Sequence, residues 1–239
     1  MKNVRMPQSL IERDVFGFFD DFEWFVSIHR WTKIVTDVAG GVGIVGADAV
    51  QGRLTVGTED ATDNDEVYLK TSNEIFLFAN NKPLFFEARV QYAEANTDDA
   101  NVFVGFMNAI AANSLIDDGA GPQASFSGFG FYKVDGGTRW QLISSLATTR
   151  TTTDLTAALS LDRVAKTAGG AAFTVLRAEG LPYSSTDMKV DFFIDDVHVG
   201  SHNLVYTSAT EMNWGIGLKN GGGTAELLLC DYAAVFQQR

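Results

Sequence analysis

The sequence predicts an all-β protein: an antiparallel jelly-roll β-sandwich with at most one short helix. Three observations carry this. Lys189-Val-Asp-Phe-Phe-Ile-Asp-Asp-Val-His-Val-Gly200 alternates along two short arms about Asp195-Asp196, which is the pattern of a β-hairpin. Elsewhere apolar residues recur with a period of two in short runs separated by turn residues. A chain of 239 residues with 46% hydrophobic and 12% aromatic content, including 18 Phe, has ample material for one continuous core.

The elements follow in chain order. Residues 1–15 are polar and mixed in charge and read as an N-terminal arm, with Met1, Lys2, Arg5, Ile11 and Arg13 as its docking side chains; residues 16–239 read as a single domain. Gly52–Gly57, Glu66–Lys70, Leu84–Val90 and Val102–Met107 alternate as strands. Gly128–Ile143 is a second hairpin, because Asp135-Gly136-Gly137 supplies residues that tolerate positive φ between two alternating arms. Thr153–Lys166 is where a short helix fits, with Leu155, Leu159 and Val164 loosely on one face. Gly221-Gly222-Gly223 forms a loop before a last strand over Ala225–Phe236. There is no internal repeat, low-complexity tract or linker.

Charge and cysteine content narrow the functions. A net charge of −12 without clustered Lys or Arg argues against nucleic acid as a partner. The single cysteine, Cys230, excludes an intrachain disulfide framework and, in its apolar strand, reads as an inert core thiol. No apolar run has the length of a signal-peptide core or of the ~18 residues a membrane helix needs, so cytoplasmic synthesis without membrane contact is expected.

Several apparent motifs weaken in context. Gly41-Val-Gly-Ile-Val-Gly46 matches the dinucleotide fingerprint, but a β pattern rather than a helix follows it. His198 and His202 fall at a strand end and the loop after it, and with only His29 besides them a zinc or catalytic histidine site is not expected. The acids from Glu59 to Glu66 read as a solvated loop between strands, and Asp195 is committed to its turn.

Four features in order resemble the concanavalin A-like lectin/glucanase superfamily, in its laminin-G-like and glucanase-like forms. They are Phe19-Asp-Asp-Phe22 followed by Trp31, the strand Gly52-Arg-Leu-Thr-Val56, the pair Leu84–Val90 and Val104-Gly-Phe106, and the hairpin Val190–Val199 with Leu227–Phe236. Together they cover most of the chain from about residue 16. One departure is that the hairpin turn has Asp196 where the superfamily usually has glycine.

The resemblance implies carbohydrate cleavage, carbohydrate binding or a structural role. Cleavage implies paired carboxylates, usually as Glu-x-Asp-x-Glu on one strand, and no strand here carries that pattern; an enzyme is not expected. Lectin activity implies a sugar-stacking aromatic, for which Trp24 in Asp21–Phe25 is the candidate, whereas Trp140 and Trp214 read as core. No cofactor is expected beyond calcium, for which Asp60–Glu66 and Asn96–Asp99 supply oxygens. The leading expectation is a non-enzymatic structural protein of a bacteriophage virion. It would be a capsid decoration subunit that docks on capsid or other virion proteins as a homo-oligomer, made in the host cytoplasm. The alternative is a carbohydrate-binding adhesion module with a polysaccharide partner.

Overall fold

The computed structural model describes residues 15–23, 29–36, 44–47, 52–58, 62–79, 82–93, 100–117, 119, 121–155, 168, 170, 172–206 and 209–239. Trp24, the arm residues Met1, Lys2, Arg5, Ile11 and Arg13, and most of the expected helix lie outside them. Among the described residues sixteen strands run in the order β1 (Val15–Asp20), β2 (Trp31–Thr36), β3 (Ile44–Ala47), β4 (Leu54–Gly57), β5 (Glu66–Thr71), β6 (Phe76–Phe78), β7 (Leu84–Ala93), β8 (Ala100–Met107), β9 (Gly128–Lys133), β10 (Gln141–Leu146), β11 (Thr149–Asp154), β12 (Thr174–Pro182), β13 (Asp187–Ile194), β14 (Val197–Val205), β15 (Thr210–Asn220) and β16 (Leu227–Gln238). No helix occurs among the described residues.

The strands form two eight-stranded antiparallel sheets. Sheet A has the order β14-β13-β12-β7-β16-β4-β3, with β1 also on β16; sheet B has the order β11-β10-β9-β8-β15-β5-β2, with β6 also on β15. Strand alternation turns one set of side chains from each sheet into the space between them. From sheet A come Phe86, Ala88 and Val90 of β7 and Val190 and Phe192 of β13; from sheet B come Val104 and Phe106 of β8, Phe129 and Phe131 of β9 and Trp214 of β15, all buried. The two layers meet through aromatic edges, with Phe86 5.7 Å from Phe106 and Phe131 5.4 Å from Phe192. Trp140 and Trp214 are core residues, as the pattern predicts.

The hairpin of β13 and β14 turns on Asp195 and Asp196, at φ +50° and +64°, the two left-handed residues of a type I′ turn. Both side chains explain why glycine is dispensable here. Val175 N donates to Asp195 Oδ1 at 3.0 Å, Asp195 N donates to Val175 O at 2.9 Å, and Arg177 lies 3.4 Å from Asp196 Oδ1. The turn is thereby tied to the neighbouring strand β12. In the second hairpin β9 pairs with β10, and Gly136 takes φ +71° in the connection.

Three expectations are corrected. β14 runs on to Val205, so His202 lies inside a strand with its ring in the core, not in a following loop. Asp65 and Glu66 are buried rather than solvated. Thr153 and Asp154 belong to β11 instead of opening a helix. The glycine fingerprint is excluded as foreseen, since residues 44–47 are a strand antiparallel to β4. Replacing Asp195 by Ala removes the side-chain bond from Val175 N, keeps the backbone bond to Val175 O, and places at positive φ a residue without its own side-chain acceptor; urea denaturation is expected to register a loss of about 1–2 kcal/mol.

Candidate functional site

Three surfaces compete for function: the outer face of each sheet and one end of the sandwich. On sheet B, register places Asp154, Gln141, Tyr132, Phe103, Gly217, Tyr68 and Ile34 in one row across seven strands. The next row contains three adjacent glycines, Gly130, Gly105 and Gly215. That trough is filled by the chain itself. The connection from β8 to β9 folds back over the face, and Ile110, Leu115 and Phe126 form a second buried cluster with Tyr68, Phe103, Met107, Tyr132 and Ile143. A Cβ on Gly215 would come within 2.6 Å of Ile110 Cδ1, so glycine is what lets the roof sit down.

Polar contacts fasten the roof. Glu66 accepts from Asn113 N at 2.6 Å and from the Tyr68 hydroxyl at 2.7 Å, and Tyr68 Oη accepts from Leu115 N at 2.9 Å. Lys219, 2% exposed, pairs with Glu66 at 3.7 Å and with Asp117. Burial and the adjacent Glu66 carboxylate push the Tyr68 phenol well above its usual range. Here Glu66 is an anchor for the roof. Of the oxygens expected for calcium, Glu66 is spent on the roof and Asp63 is exposed, and among the described residues no group of three or more His, Cys, Asp or Glu is disposed to hold a metal ion. Asp60 and Asn96–Asp99 lie outside the described residues.

The outer face of sheet A carries charge. Asp191 on β13 stands directly opposite Glu179 on β12, and Glu87 on β7 is opposite Arg177 on β12. The sequence search missed this pairing because it looked for acids along one strand, whereas these meet across strands that the chain order separates. Burial lifts Glu179 above the usual carboxylate range, aided by Asp191 and Glu87 and opposed by Arg177. Burial alone would lift Asp191 as well, but hydrogen bonds from Ser201, Lys189 and His198 hold it below its ordinary value. The two carboxyl groups are thus pushed apart in pKa, the direction an acid and a base sharing one site require.

Ser201, His198 and Asp191 also have the composition of a hydrolytic triad but not its connectivity. A relay needs the imidazole between hydroxyl and carboxylate, one nitrogen to each. Here His198 Nε2 faces both Ser201 Oγ at 3.0 Å and Asp191 Oδ1 at 3.3 Å, while Ser201 donates its own proton to Asp191 at 2.5 Å. Ser201 is not primed as a nucleophile.

The third surface is a pair of clefts at the end of the sandwich where β1 turns into β2 and β5 into β6. Asp20, the last residue of β1, organises it. Its Oδ2 accepts from Trp31 Nε1 at 2.9 Å and from Arg30 Nη1 at 3.1 Å, and its Oδ1 accepts from Phe22 N at 2.9 Å. This explains the acidic-aromatic opening followed by tryptophan that the sequence displays. Ser72 N donates to Arg30 O at 2.8 Å, and Thr32 Oγ1 to Ser72 Oγ at 3.1 Å, joining the two turns. Between them lies a cleft of 320 Å³ lined by His29, Arg30, Thr71, Ser72, Asn73 and Ile75. Trp24 belongs to the same β1–β2 connection, five positions before His29. A neighbouring cleft of 280 Å³ is lined by Phe16, Glu74, Ile75, Phe76, Leu77, Lys82, Glu211 and Gln237.

The first cleft offers an imidazole, a guanidinium, hydroxyls and a carboxamide against one aliphatic wall. Such a set suits a small, neutral, hydroxyl-rich ligand, at the lower end of ligand-site volumes. Sequence reasoning missed all six lining residues, because turn residues carry no spacing signal; only the Asp20–Trp31 opening pointed to the region.

No protein-family model matches the chain, and no curated protein matches it in sequence. Solved structures match over nearly its whole length. The carbohydrate recognition domain of Emp47p has a TM-score of 0.58 at 12% identity, covering 95% of this chain and 96% of that one. An endo-1,3-beta-glucanase from Streptomyces sioyaensis has a TM-score of 0.57 at 15% identity, covering 95% and 98%. Peanut lectin has 0.53 at 9%, covering 94% and 97%. The chain has the concanavalin A-like lectin and glucanase fold. That fold is shared here by lectins and by an enzyme, so it leaves catalysis open and the site has to decide.

Two buried groups outside these surfaces are structural. Burial raises the Cys230 thiol far above its usual range, in keeping with an inert core residue. His202 bridges the sheets, with Nδ1 2.9 Å from Ser144 Oγ and Nε2 2.9 Å from Thr153 Oγ1. Burial lowers its pKa from 6.5 to about 4. Because the unfolded state then binds the extra proton first, His202 contributes stability that is fully present above pH 6.5 and lost as pH falls through about 4. The urea midpoint is expected to drop across that window, and more steeply in the native protein than in His202→Gln, which keeps a donor and an acceptor but cannot titrate.

Proposed function

We propose that the chain is a carbohydrate-binding protein whose site is the 320 Å³ cleft of His29, Arg30, Thr71, Ser72, Asn73 and Ile75. The observation that carries the reading is this cleft itself: neutral and cationic hydrogen-bonding groups held by two cross-linked turns on a lectin-type sandwich. Trp24, in the adjoining connection, is the proposed stacking aromatic. The expectation of a virion decoration subunit comes from the lack of a catalytic pattern on such a sandwich, its docking side chains lie outside the described residues, and the solved structures named above are lectin-type domains and a glucanase rather than particle proteins. Carbohydrate binding therefore takes precedence.

A glycan array with the purified protein is expected to give signal that falls at least tenfold, about 1.4 kcal/mol, in Asn73→Ala and in Trp24→Ala. Asn73 is exposed, so its variant should melt with the native protein. Silence across the array would remove the reading.

Glycoside cleavage is the second reading, favoured by the directly opposed Asp191 and Glu179. Glu179 would protonate the leaving oxygen as Asp191 bonds to the anomeric carbon, and water deprotonated by Glu179 would then displace Asp191 to free the sugar. Release of reducing ends from a β-glucan, abolished in Glu179→Gln, is the outcome it requires; equal release from native and variant protein would exclude it.

A further inference from the structure

Ile75 walls both end clefts and is 44% exposed. It forms a saddle between them, and the saddle is fixed in place. Ile75 N donates to Asn73 O at 3.0 Å within the turn. Just beyond it the Gln237 carboxamide acts as a substitute strand for Leu77: Leu77 N donates to Gln237 Oε1 at 2.7 Å, and Gln237 Nε2 donates to Leu77 O at 2.6 Å. Beneath, Phe16 and Phe76 stack at 5.7 Å. The strip from Asn73 to Leu77 is held from both sides rather than draped over the surface.

The two clefts differ in what they present. The first has His29, Arg30, Ser72 and Asn73. The second has Glu74, Glu211 and Lys82, whose side chains take no hydrogen bond or ion pair among the described residues, and so stand ready for an outside partner. Carboxylates accept from adjacent hydroxyls and the ammonium donates to ring and hydroxyl oxygens, so these groups recognise the same hydroxyl-rich chemistry as the first cleft, with strong acceptors beside a cationic donor. An exposed aliphatic between two hydroxyl-binding clefts matches the apolar C–H face of a sugar ring.

We propose that the two clefts are subsites of one groove, built for a linear oligosaccharide of at least two sugar units that crosses Ile75, rather than for a single terminal sugar. This rests on the carbohydrate-binding reading above. A second unit tethered to the first enters its subsite at high effective concentration, so its contacts add affinity without a second loss of translational freedom.

The test is calorimetric titration with β-1,3- and β-1,4-linked gluco-oligosaccharides and α-linked manno-oligosaccharides of one to six units. In the series that binds, affinity is expected to rise about tenfold or more from one unit to three and then level off. The double variant Glu211→Gln/Lys82→Ala should bring oligosaccharide affinity down to that of the single sugar while leaving single-sugar affinity unchanged, whereas Ile75→Asp, in the wall both clefts share, should weaken single sugars and oligosaccharides alike. Asn73→Ala should weaken both. Thermal melting of each variant checks folding, and all four side chains sit at the rim of the clefts. Equal affinity for one and three units overturns the groove, as does a length dependence that survives the second-cleft double variant. Absence of binding by every member removes the groove together with the reading on which it rests.

Discussion

The packing of Phe86 against sheet B holds the molecule in register, because a chain with one buried cysteine has no covalent tie between its layers. Phe86 projects from the middle strand of sheet A and meets Phe106, Phe129, Phe131 and Trp214 of sheet B, at 5.7, 6.4, 6.2 and 6.3 Å. Edge, tilted and stacked contacts of this kind add about 0.5–1.5 kcal/mol each beyond the apolar area they bury. Trp214 extends the seam to Phe18 and Trp31, and Trp31 hands its indole N–H to Asp20. Asp20 in turn positions Arg30 at the rim of the first cleft. The candidate binding site is therefore mounted directly on the core, through one aromatic chain and one carboxylate.

The roof over sheet B decides where a ligand is to be sought. Covering the glycine trough with Ile110, Leu115 and Phe126 removes the broad face of that sheet as a platform. Glu66, Lys219, Asp117 and Asn113 peg the roof in place, and a buried cation with one buried and one exposed carboxylate gains little net stability from attraction alone. Its worth lies in position: shifting the roof would take Asp117 and Asn113 away from Lys219 and the Asn113 N–H away from Glu66, leaving a buried ion pair with fewer hydrogen bonds to offset its desolvation.

Legibility from sequence followed the range of the interactions. The Asp195-Asp196 turn, the alternating strands and the burial of Trp140 and Trp214 were all readable, because each depends on residues within one hairpin or one strand. The roof was not, since Ile110, Leu115 and Phe126 have neither the period of a strand nor that of a helix and become apolar partners only once β8 and β9 supply a floor. Glu66 and Asp65 looked solvated for the same reason: the groups that bury them come from β15 and from the roof. Asp191 and Glu179 become neighbours only through strand register, and the cleft residues only through the meeting of two turns. The short helix expected after Thr153 and the role of Trp24 fall on residues outside those described.

Solvation distinguishes the clefts from the charged face of sheet A as a place to bind a neutral, hydroxyl-rich molecule. On that face the strong groups are already engaged with one another. Arg177 lies over Phe193 at 4.2 Å and contacts Glu179 and Asp196, Arg89 pairs with Asp231, and Tyr232 donates to Glu87. A ligand there would have to break internal hydrogen bonds in order to make its own, in full competition with water. In the second cleft, Glu74, Lys82 and Glu211 have no internal partner among the described residues to surrender, and in both clefts concave walls exclude part of the solvent that a flat face admits. For the proposed carbohydrate ligand the end of the sandwich is therefore the better place, even though most of the formal chemistry sits on its side. If the opposed carboxylates do act, their substrate must be a chain large enough to supply its own water exclusion, because that face provides no enclosure of its own.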